Sequence, residues 1–326
     1  MLFTIINLLA ILANATILVL GFEFALENLD TKLQLLHYLN SHIMTLNSFL
    51  TSHFPLLTPK QLPYVLTTTM MIIFISIGIS GPVDSILRYI YGFGKPIPDE
   101  RESFNRNFEI VCKAAGKNYK DFRLYMTDDP MENACALGTN SIAITRRLLK
   151  NCPDYEIQAV LAHELGHLHY GDTMQMRVFM SVTLCGQLAM LAFAFLFKAC
   201  FTLGRIPIPI VNFAFYFFGA YFWLIYSIFQ IIFLTPMAIG SLIGMRHNEY
   251  RADRYAASLG YSDSLQSWLY DSLEDYTPPT GLATFWQTHP SPRNRMNKLE
   301  AYDQNNLSLL DKIYALLLAE GWQKSH

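Results

Sequence analysis

The sequence around position 163 carries side chains that could bind a metal ion. His163 and His167 are four residues apart and Glu164 follows the first histidine, which forms an H-E-x-x-H pattern. Positions i and i+4 lie on the same face of a helix, so both imidazoles could reach one Zn²⁺. Glu164 is turned about 100° around such a helix and could take a proton from water. The pattern therefore predicts a zinc centre for metal-assisted hydrolysis, with Glu164 as the catalytic base.

A catalytic zinc site needs a third protein ligand, and a later segment offers one. Glu249 and Asp253 are one helical turn apart, so Glu249 could bind the metal while Asp253 orients a ligand histidine. Taken alone, an E-x-x-x-D pair more often forms a solvated helix face. His169 and His247 are the other candidates, but no spacing argument supports them.

A helix between about 151 and 170 is predicted to carry the H-E-x-x-H pattern. Pro153 and two acidic residues occupy its first turn, and Gly171 follows its last one. Upstream, the pattern predicts a helix over 99–115. Turn residues then separate three short strands, which are predicted at 122–126, 134–137 and 141–145.

The distribution of charge indicates a membrane protein. Charged residues make up 15% of the chain and hydrophobic residues 52%. Four stretches lack Asp, Glu, Lys and Arg over a length that can cross hydrocarbon, which takes about 20 residues. These stretches are 1–22, 61–83, 178–197 and 206–245. The first lacks the basic start of a signal peptide and is interpreted as a retained anchor.

The predicted fold is a mainly α membrane protein with four transmembrane helices and an α+β zincin-type catalytic domain that contains a small sheet. Its predicted parts are two transmembrane helices with a loop (1–83), a first catalytic part (84–177), two further transmembrane helices (178–245) and a second catalytic part (246–326). The net charge of −2 gives no reason to expect nucleic acid as a partner. The five cysteines form no C-x-x-C pair, which argues against a zinc ribbon.

Topology provides an independent constraint on the metal site. His167 and Glu249 can share a metal only if an even number of spans separates them, so 206–245 should hold one span and not a hairpin. Lys and Arg are more frequent beside the catalytic parts than in the opposite loops, which predicts that these parts are cytoplasmic. We therefore expect a multi-pass protein of a bacterial inner membrane, with the lipid bilayer as a partner.

The chain resembles the HtpX-type membrane zinc peptidases, which are related to the eukaryotic CAAX prenyl endopeptidases. The resemblance extends over most of the chain, including the spans around the catalytic motif. The matching motifs are Glu132–Gly138, His163–His167 with Gly171-Asp172, Glu249–Asp253, and His289-Pro290-Ser291-Pro292 with Arg293 and Arg295.

The resemblance implies roles for further residues. The edge strand that includes Asn133, Ala134 and Ala136 would pair with the substrate backbone. His289 would stabilise the oxyanion, and Arg295 would lie close to the metal ligands. Glu249 would be the third ligand of one Zn²⁺ per chain.

The implied function is cleavage of membrane or unfolded proteins in quality control, as part of a stress response. One alternative is the processing of lipidated peptides. A protease-type signal receptor and a catalytically silent scaffold are the others. The long loop at 23–60 departs from the family pattern and is the only feature that favours a receptor.

Overall fold

The computed structural model describes residues 2–28, 45, 61–206, 208–273 and 290–306. Within these ranges the chain is mostly helical with one small sheet, as the sequence predicts. Most of the loop at 23–60 lies outside the described residues. The helices are α1 (Leu2–Asn28), α2 (Leu62–Gly78), α3 (Gly81–Ile90), α4 (Pro98–Ala114), α5 (Arg146–Asn151), α6 (Asp154–Tyr170), α7 (Asp172–Leu203), α8 (Pro209–Phe229), α9 (Thr235–Ser258), α10 (Ser262–Asp271) and α11 (Pro292–Asn306). The strands are β1 (Arg123–Thr127), β2 (Ala134–Leu137) and β3 (Ser141–Thr145).

The chain divides into two compact units. One comprises residues 1–83 and 175–241, and the other comprises residues 84–174 and 242–326. The second unit contains both the H-E-x-x-H and the E-x-x-x-D segments, so the candidate metal ligands belong to one unit.

The sheet of the second unit has the order β1-β3-β2, with β1 parallel and β2 antiparallel to β3. The observed β2 and β3 have the predicted bounds, and β1 begins one residue later than predicted. A tight turn links β2 to β3, and Gly138 in it has a φ of 65°, which an L side chain rarely adopts. This order leaves β2 at an edge of the sheet.

The core of the second unit lies between the sheet and helices α4 and α6. Phe108 on α4, Ile144 on β3, and Leu161 and Leu165 on α6 are fully buried. Burial of each such side chain contributes about 1.5–3 kcal/mol. The two leucines are four residues apart and hold one face of α6 against this core. His163 is two positions after Leu161, so it is turned about 200° and lies on the opposite face.

The predicted helix over 151–170 corresponds to α6, which begins at Asp154, and a separate short helix, α5, precedes it and ends at Asn151. Cys152 has extended backbone angles (φ −90°, ψ 145°) and ends α5. The reason is Pro153, whose ring disfavours helical angles in the preceding residue. At the other end, Gly171 adopts the left-handed conformation (φ 69°) and ends α6.

Small and polar side chains pack the helices of the first unit closely. A Cβ atom on Gly186 of α7 would lie 1.6 Å from Oδ1 of Asn14 on α1. A Cβ atom on Gly78 of α2 would lie 1.7 Å from Oγ of Ser181. Close approach through small residues with polar contacts is typical of helix packing in membranes.

One continuous helix, Pro209–Ser258, contains α8, a π turn (Gln230–Leu234) and α9. The helix passes through Pro236, which has no N–H and would clash with a carbonyl one turn earlier. The π turn lies directly before this proline and loosens the backbone there. Thr235 satisfies the first carbonyl of the π turn, through its backbone N–H and through Oγ1 at 2.9 Å. The uncharged stretch at 206–245 is therefore not a hairpin.

Helix length and composition support fewer membrane spans than the sequence pattern predicts. Among the described residues, Pro209–Ser258 alone is long and apolar enough to cross a membrane. A second span results if Pro63–Gly78 and Gly81–Ile90, which are bent by 56°, are counted together. Residues 2–22 of the first stretch lie within α1 and residues 178–197 lie within α7, and the count of four spans stays a prediction.

Candidate metal centre

Helix α6 brings the two histidines of the H-E-x-x-H pattern together. Their Nε2 atoms are 3.2 Å apart, and the ring planes are nearly perpendicular. His163 is buried and His167 is half-buried. Because both rings project from successive turns of one helix face, one ion could contact both Nε2 atoms.

Helix α9 adds Glu249 to this pair. A carboxylate oxygen of Glu249 lies 3.5 Å from Nε2 of His163, and the other lies 3.4 Å from Nε2 of His167. One ligand atom from each of the three residues can be chosen so that all lie within 4.8 Å of one another. Ligands at 2.0–2.1 Å from a tetrahedral Zn²⁺ are about 3.3–3.4 Å apart. The observed separations fit such an ion.

Gly166 allows α9 to approach α6 this closely. A Cβ atom at this position would lie 3.1 Å from Cα of Ala252 and 3.2 Å from Cβ of Tyr255. Ala252 and Tyr255 follow Glu249 on α9. Because Gly166 has no side chain, α9 can come close enough to α6 for Glu249 to reach the two histidines.

Two carboxylates orient the histidine rings. Nδ1 of His163 is 2.8 Å from Oδ1 of Asp253, and Nδ1 of His167 is 2.9 Å from Oδ2 of Asp172. An ionised carboxylate only accepts hydrogen bonds, so each Nδ1 carries the proton and donates. Each Nε2 then presents its lone pair to the centre. Such carboxylate–histidine pairs are typical of zinc sites.

Two arginines hold these carboxylates. Arg295 donates to both oxygens of Asp253, at 2.9 and 2.5 Å, and its NH1 atom is 3.5 Å from Glu249. Arg251 donates to Asp172, and its guanidinium lies 4.4 Å from the ring centroid of Tyr170. The centre is thus enclosed by a buried network of alternating charge.

The electrostatics of the network favour positive charge between the histidines. Burial lowers the pKa of His167, but hydrogen bonds to two carboxylates outweigh this effect and raise the pKa to about 10. Burial and the charge of Arg295 lower the pKa of His163, yet its carboxylate partners raise the pKa above its usual range. Burial raises the pKa of Asp253, whereas Arg295 and His163 lower it to about 2. A metal cation satisfies the same preference as a proton.

Glu164 is buried and does not belong to the ligand group. It lies near the sheet, because its charge adds to burial in raising the pKa of Cys135 on β2 to about 12. Helix α6 packs directly against β2. Glu164 thus lies on the helix that carries the two histidines and close enough to β2 for its charge to act on Cys135.

The edge strand presents backbone groups outward. The N–H of Thr145 donates to the carbonyl of Asn133 at 2.9 Å, which sets the hydrogen-bonding phase of the β2–β3 ladder. Backbone groups alternate in direction along a strand, so those of Ala134 and Ala136 point away from β3. Oδ1 of Asn133 accepts from the N–H of Ala134 at 2.9 Å. In the part of the chain that the structure describes, no strand pairs with this outer edge.

The structure therefore places the predicted residues as follows. Arg295 and Asp253 lie directly behind the candidate ligands, while His289 lies outside the described residues. His169 stacks on Tyr255 with ring centroids 4.8 Å apart, and His247 is exposed. Neither of these two histidines joins the ligand group.

Sequence reasoning gave no role to Asp172, Arg251 or Gly166. Asp172 follows the break at Gly171, so a helical spacing rule does not relate it to His167. An acidic residue directly after a left-handed glycine that ends a ligand helix is the signal that could have found it. Arg251 lies between the two acidic residues of the E-x-x-x-D pair. Its charge contributed only to the excess of Lys and Arg that predicts a cytoplasmic position for the catalytic parts.

Comparisons with known proteins agree with this geometry. Residues 98–303 match the model of Peptidase family M48. A "Protease HtpX homolog" of Sulfurovum sp. (strain NBC37-1) is 30% identical over 209 residues, which cover 55% of this chain and 68% of the relative. A "Protease HtpX homolog" of Bacillus pumilus (strain SAFR-032) is 26% identical over 226 residues, which cover 62% of this chain and 70% of the relative.

Among solved structures, S. mikatae Ste24p is similar with a TM-score of 0.46 and 19% identity. The similarity covers 81% of this chain and 63% of that chain, so this chain spans less than two thirds of it.

Proposed function

The chain belongs to peptidase family M48, and we propose that it is a membrane-embedded, zinc-dependent endopeptidase that cleaves membrane or membrane-associated proteins at the cytoplasmic face. The observation that carries the proposal is the convergence of His163, His167 and Glu249 beside the buried Glu164. A role in membrane-protein quality control is the function that the resemblance to the HtpX-type membrane peptidases implies.

His163, His167 and Glu249 would hold the ion. Zn²⁺ supplies a Lewis acid that polarises a carbonyl oxygen and acidifies water. Two unprotonated imidazoles and one carboxylate form a donor set that is typical of catalytic zinc. Asp253 and Asp172 keep the protons on the two Nδ1 atoms, so the Nε2 lone pairs remain available for ligation.

Glu164 carries the proton in this proposal. Its carboxylate takes a proton from the attacking water and passes it to the nitrogen of the leaving amine. The residue is adjacent to His163 but points to a different side of α6, so it can act without displacing a ligand.

Strand β2 would bind the substrate as an added strand. Ala136 offers an outward N–H and C=O, and these groups recognise an extended backbone whatever its side chains are. Broad side-chain preference is the expected consequence, and it suits an enzyme that removes many different damaged proteins.

The membrane part of the proposal is supported by the uncharged stretches. Four transmembrane helices at 1–22, 61–83, 178–197 and 206–245 would put an even number between His167 and Glu249. The excess of Lys and Arg beside the catalytic parts favours the cytoplasmic side of a bacterial inner membrane.

Substitution of Glu164 tests the peptidase role most directly. Glu164→Gln should keep stoichiometric zinc and lose nearly all casein hydrolysis, because only the proton acceptor is removed. Glu109→Gln, an exposed change of the same type, is the control. His163→Ala and Glu249→Ala should lose zinc, as measured by metal analysis of the purified chain. Retention of stoichiometric zinc and activity in Glu249→Ala would refute the third-ligand assignment.

The distance between a substrate's cleavage site and the membrane tests the membrane role. Along the chain, 11 residues separate His167 from position 178 and four separate position 245 from Glu249, which at 1.5 Å per residue gives about 16 Å and about 6 Å. The centre would therefore lie near the membrane surface. A model substrate with its cleavage site moved stepwise from a transmembrane helix should be cut best close to the membrane. Equal cleavage about 60 Å out would contradict this placement.

A further inference from the structure

A basic cavity lies in the catalytic unit, on elements that the metal centre does not use. Its volume is about 460 Å³. The lining includes four cations, Lys95, Arg101, Lys120 and Arg123, and no acidic residue. The cations come from three places along the chain: the segment before α4 (Lys95), α4 itself (Arg101), and the turn that leads into β1 with the first residue of that strand (Lys120 and Arg123).

The four cations are exposed. Among the described residues, none of them forms an ion pair with a carboxylate, whereas Arg146 of the same unit binds Glu100 at 2.7 Å and Asp128 at 2.6 Å. The guanidinium of Arg101 donates to the carbonyl of Pro96, at 3.4 Å. Like charges around one cavity repel, so the arrangement gains stability when an anion enters.

Aromatic side chains complete the walls. Tyr119, Phe122 and Tyr125 line the cavity. The guanidinium of Arg88 lies 5.3 Å from the ring centroid of Tyr125, so α3 packs next to the cavity. Aromatic walls with a cationic rim suit an anionic group attached to an apolar body better than a small hydrated anion.

Helix α3 has the character of a helix that lies on a membrane surface. Ile86, Tyr89 and Ile90 occupy one stripe and are 56%, 87% and 66% exposed. Asp84, Ser85 and Arg88 supply its polar side. Exposed apolar residues with tyrosine on an amphipathic helix are typical of the interfacial layer. The helix also directly follows the uncharged stretch at 61–83, and Lys95 comes 12 positions after that stretch.

We propose that this cavity binds a phosphate-bearing anion, with the headgroup of an anionic phospholipid beside α3 as its source. The planar guanidinium groups of Arg101 and Arg123 can each bind two phosphate oxygens, and Lys95 and Lys120 add point charges. The acyl chains would lie along the exposed stripe of α3. The site lies outside the metal centre and goes beyond the proposed peptidase reaction.

Lipid titration of the full chain in detergent tests the proposal. The probes are dioctanoyl phosphatidylglycerol, dioctanoyl phosphatidylcholine and inorganic phosphate, and native mass spectrometry measures the bound fraction. The double variant Arg101→Gln with Arg123→Gln should bind phosphatidylglycerol on the order of 30-fold more weakly, from a loss of about fivefold per cation. Arg106→Gln with Arg147→Gln removes the same charge from exposed ion pairs outside the cavity and should bind normally.

Each outcome decides a part of the proposal. Phosphatidylglycerol binding that falls only in the cavity variant, with little binding of phosphatidylcholine and no displacement by equimolar phosphate, supports the lipid headgroup. Displacement by equimolar phosphate supports the anion site and overturns the lipid as its source. Equal binding by both double variants, or equal loss in both, overturns the site. If the arginine variant fails to fold, Lys95→Gln with Lys120→Gln replaces it. Unchanged casein hydrolysis in these variants separates this result from failure of the peptidase assignment.

Discussion

Replacement of Asp172 by asparagine should weaken metal binding although Asp172 is not a ligand. The carboxylate accepts from Nδ1 of His167 at 2.9 Å and also binds Arg251. An asparagine can turn its oxygen to only one of these donors, so its NH₂ group faces the other. If the NH₂ group faces His167, the ring must carry its proton on Nε2, where it blocks ligation.

The size of the effect follows from this geometry. Loss of a partner that orients a metal ligand typically costs 10–100-fold in metal affinity, which is about 1.4–2.7 kcal/mol. Asp172 is 6% exposed, so water cannot readily replace the lost acceptor. We therefore expect the upper half of that range, roughly 30–100-fold weaker zinc binding.

Chelator competition on the purified full chain measures this loss. Asp121→Asn, a change at an exposed aspartate in the same unit, should leave zinc affinity unchanged. At saturating zinc, Asp172→Asn should recover much of its kcat, because Glu164 and the ligands are intact. Zinc affinity within threefold of the wild-type value would refute the argument that this carboxylate sets the tautomer of His167.

Three further changes test other parts of the structure. Ala136→Pro removes the outward N–H of β2 and should raise KM for a peptide roughly threefold to tenfold, the contribution of one hydrogen bond, with zinc retained. Gly166→Ala places a methyl group 3.1 Å from Cα of Ala252 and should destabilise the chain by about 1–3 kcal/mol in thermal unfolding, with weaker zinc binding. Burial raises the pKa of Cys112 and Cys152 to about 12, so at pH 7 maleimide should modify them roughly 1,000-fold more slowly than a thiol of pKa near 9.

The first two of these changes have a matched control, and the third has a result that would contradict it. Ala136→Val keeps the N–H, and equal kinetics in the valine and proline variants would exclude this strand as the docking site. A Cβ atom on Gly81 would meet nothing within 4 Å, so Gly81→Ala should have little effect. An equal loss of stability in both glycine variants would contradict the close-packing argument. For the cysteines, rapid labelling of the folded chain at pH 7 would show that the thiols are less shielded than the structure indicates.

The sequence predicted the side chains that converge at the candidate metal site because they follow helical periodicity. His163 and His167 share a face of α6, and Glu249 and Asp253 share a face of α9, so local spacing was sufficient. The contact between these helices was not predictable, because it depends on Gly166 and on distances across the core. Asp172 was missed for a related reason, since the break at Gly171 ends the periodicity that spacing rules need.

The bounds of the helices and strands were also predictable only where local sequence signals determine them. The turn residues on either side located β2, and those before β3 located its start, and the family resemblance correctly indicated a peptidase of this type. Pro153 was correctly placed near a helix start, but its effect on Cys152 was overlooked, so the predicted start of α6 was about three residues early and α5 was not predicted. Uncharged stretches predicted four spans, whereas length and composition of the observed helices support one or two. The absence of charged residues does not indicate where a helix bends, so the bend between α2 and α3 was not predicted.

The long sequence separations within the metal centre have a consequence during synthesis. Arg295, which contacts the ring of His163, is made 132 residues later. At 5–20 residues per second, Arg295 is made roughly 7–26 s after His163. Glu249, Asp253 and Arg295 are all absent while the uncharged stretches that precede them are being made. The nascent chain therefore lacks the full set of residues of the candidate metal centre until α11 has been made.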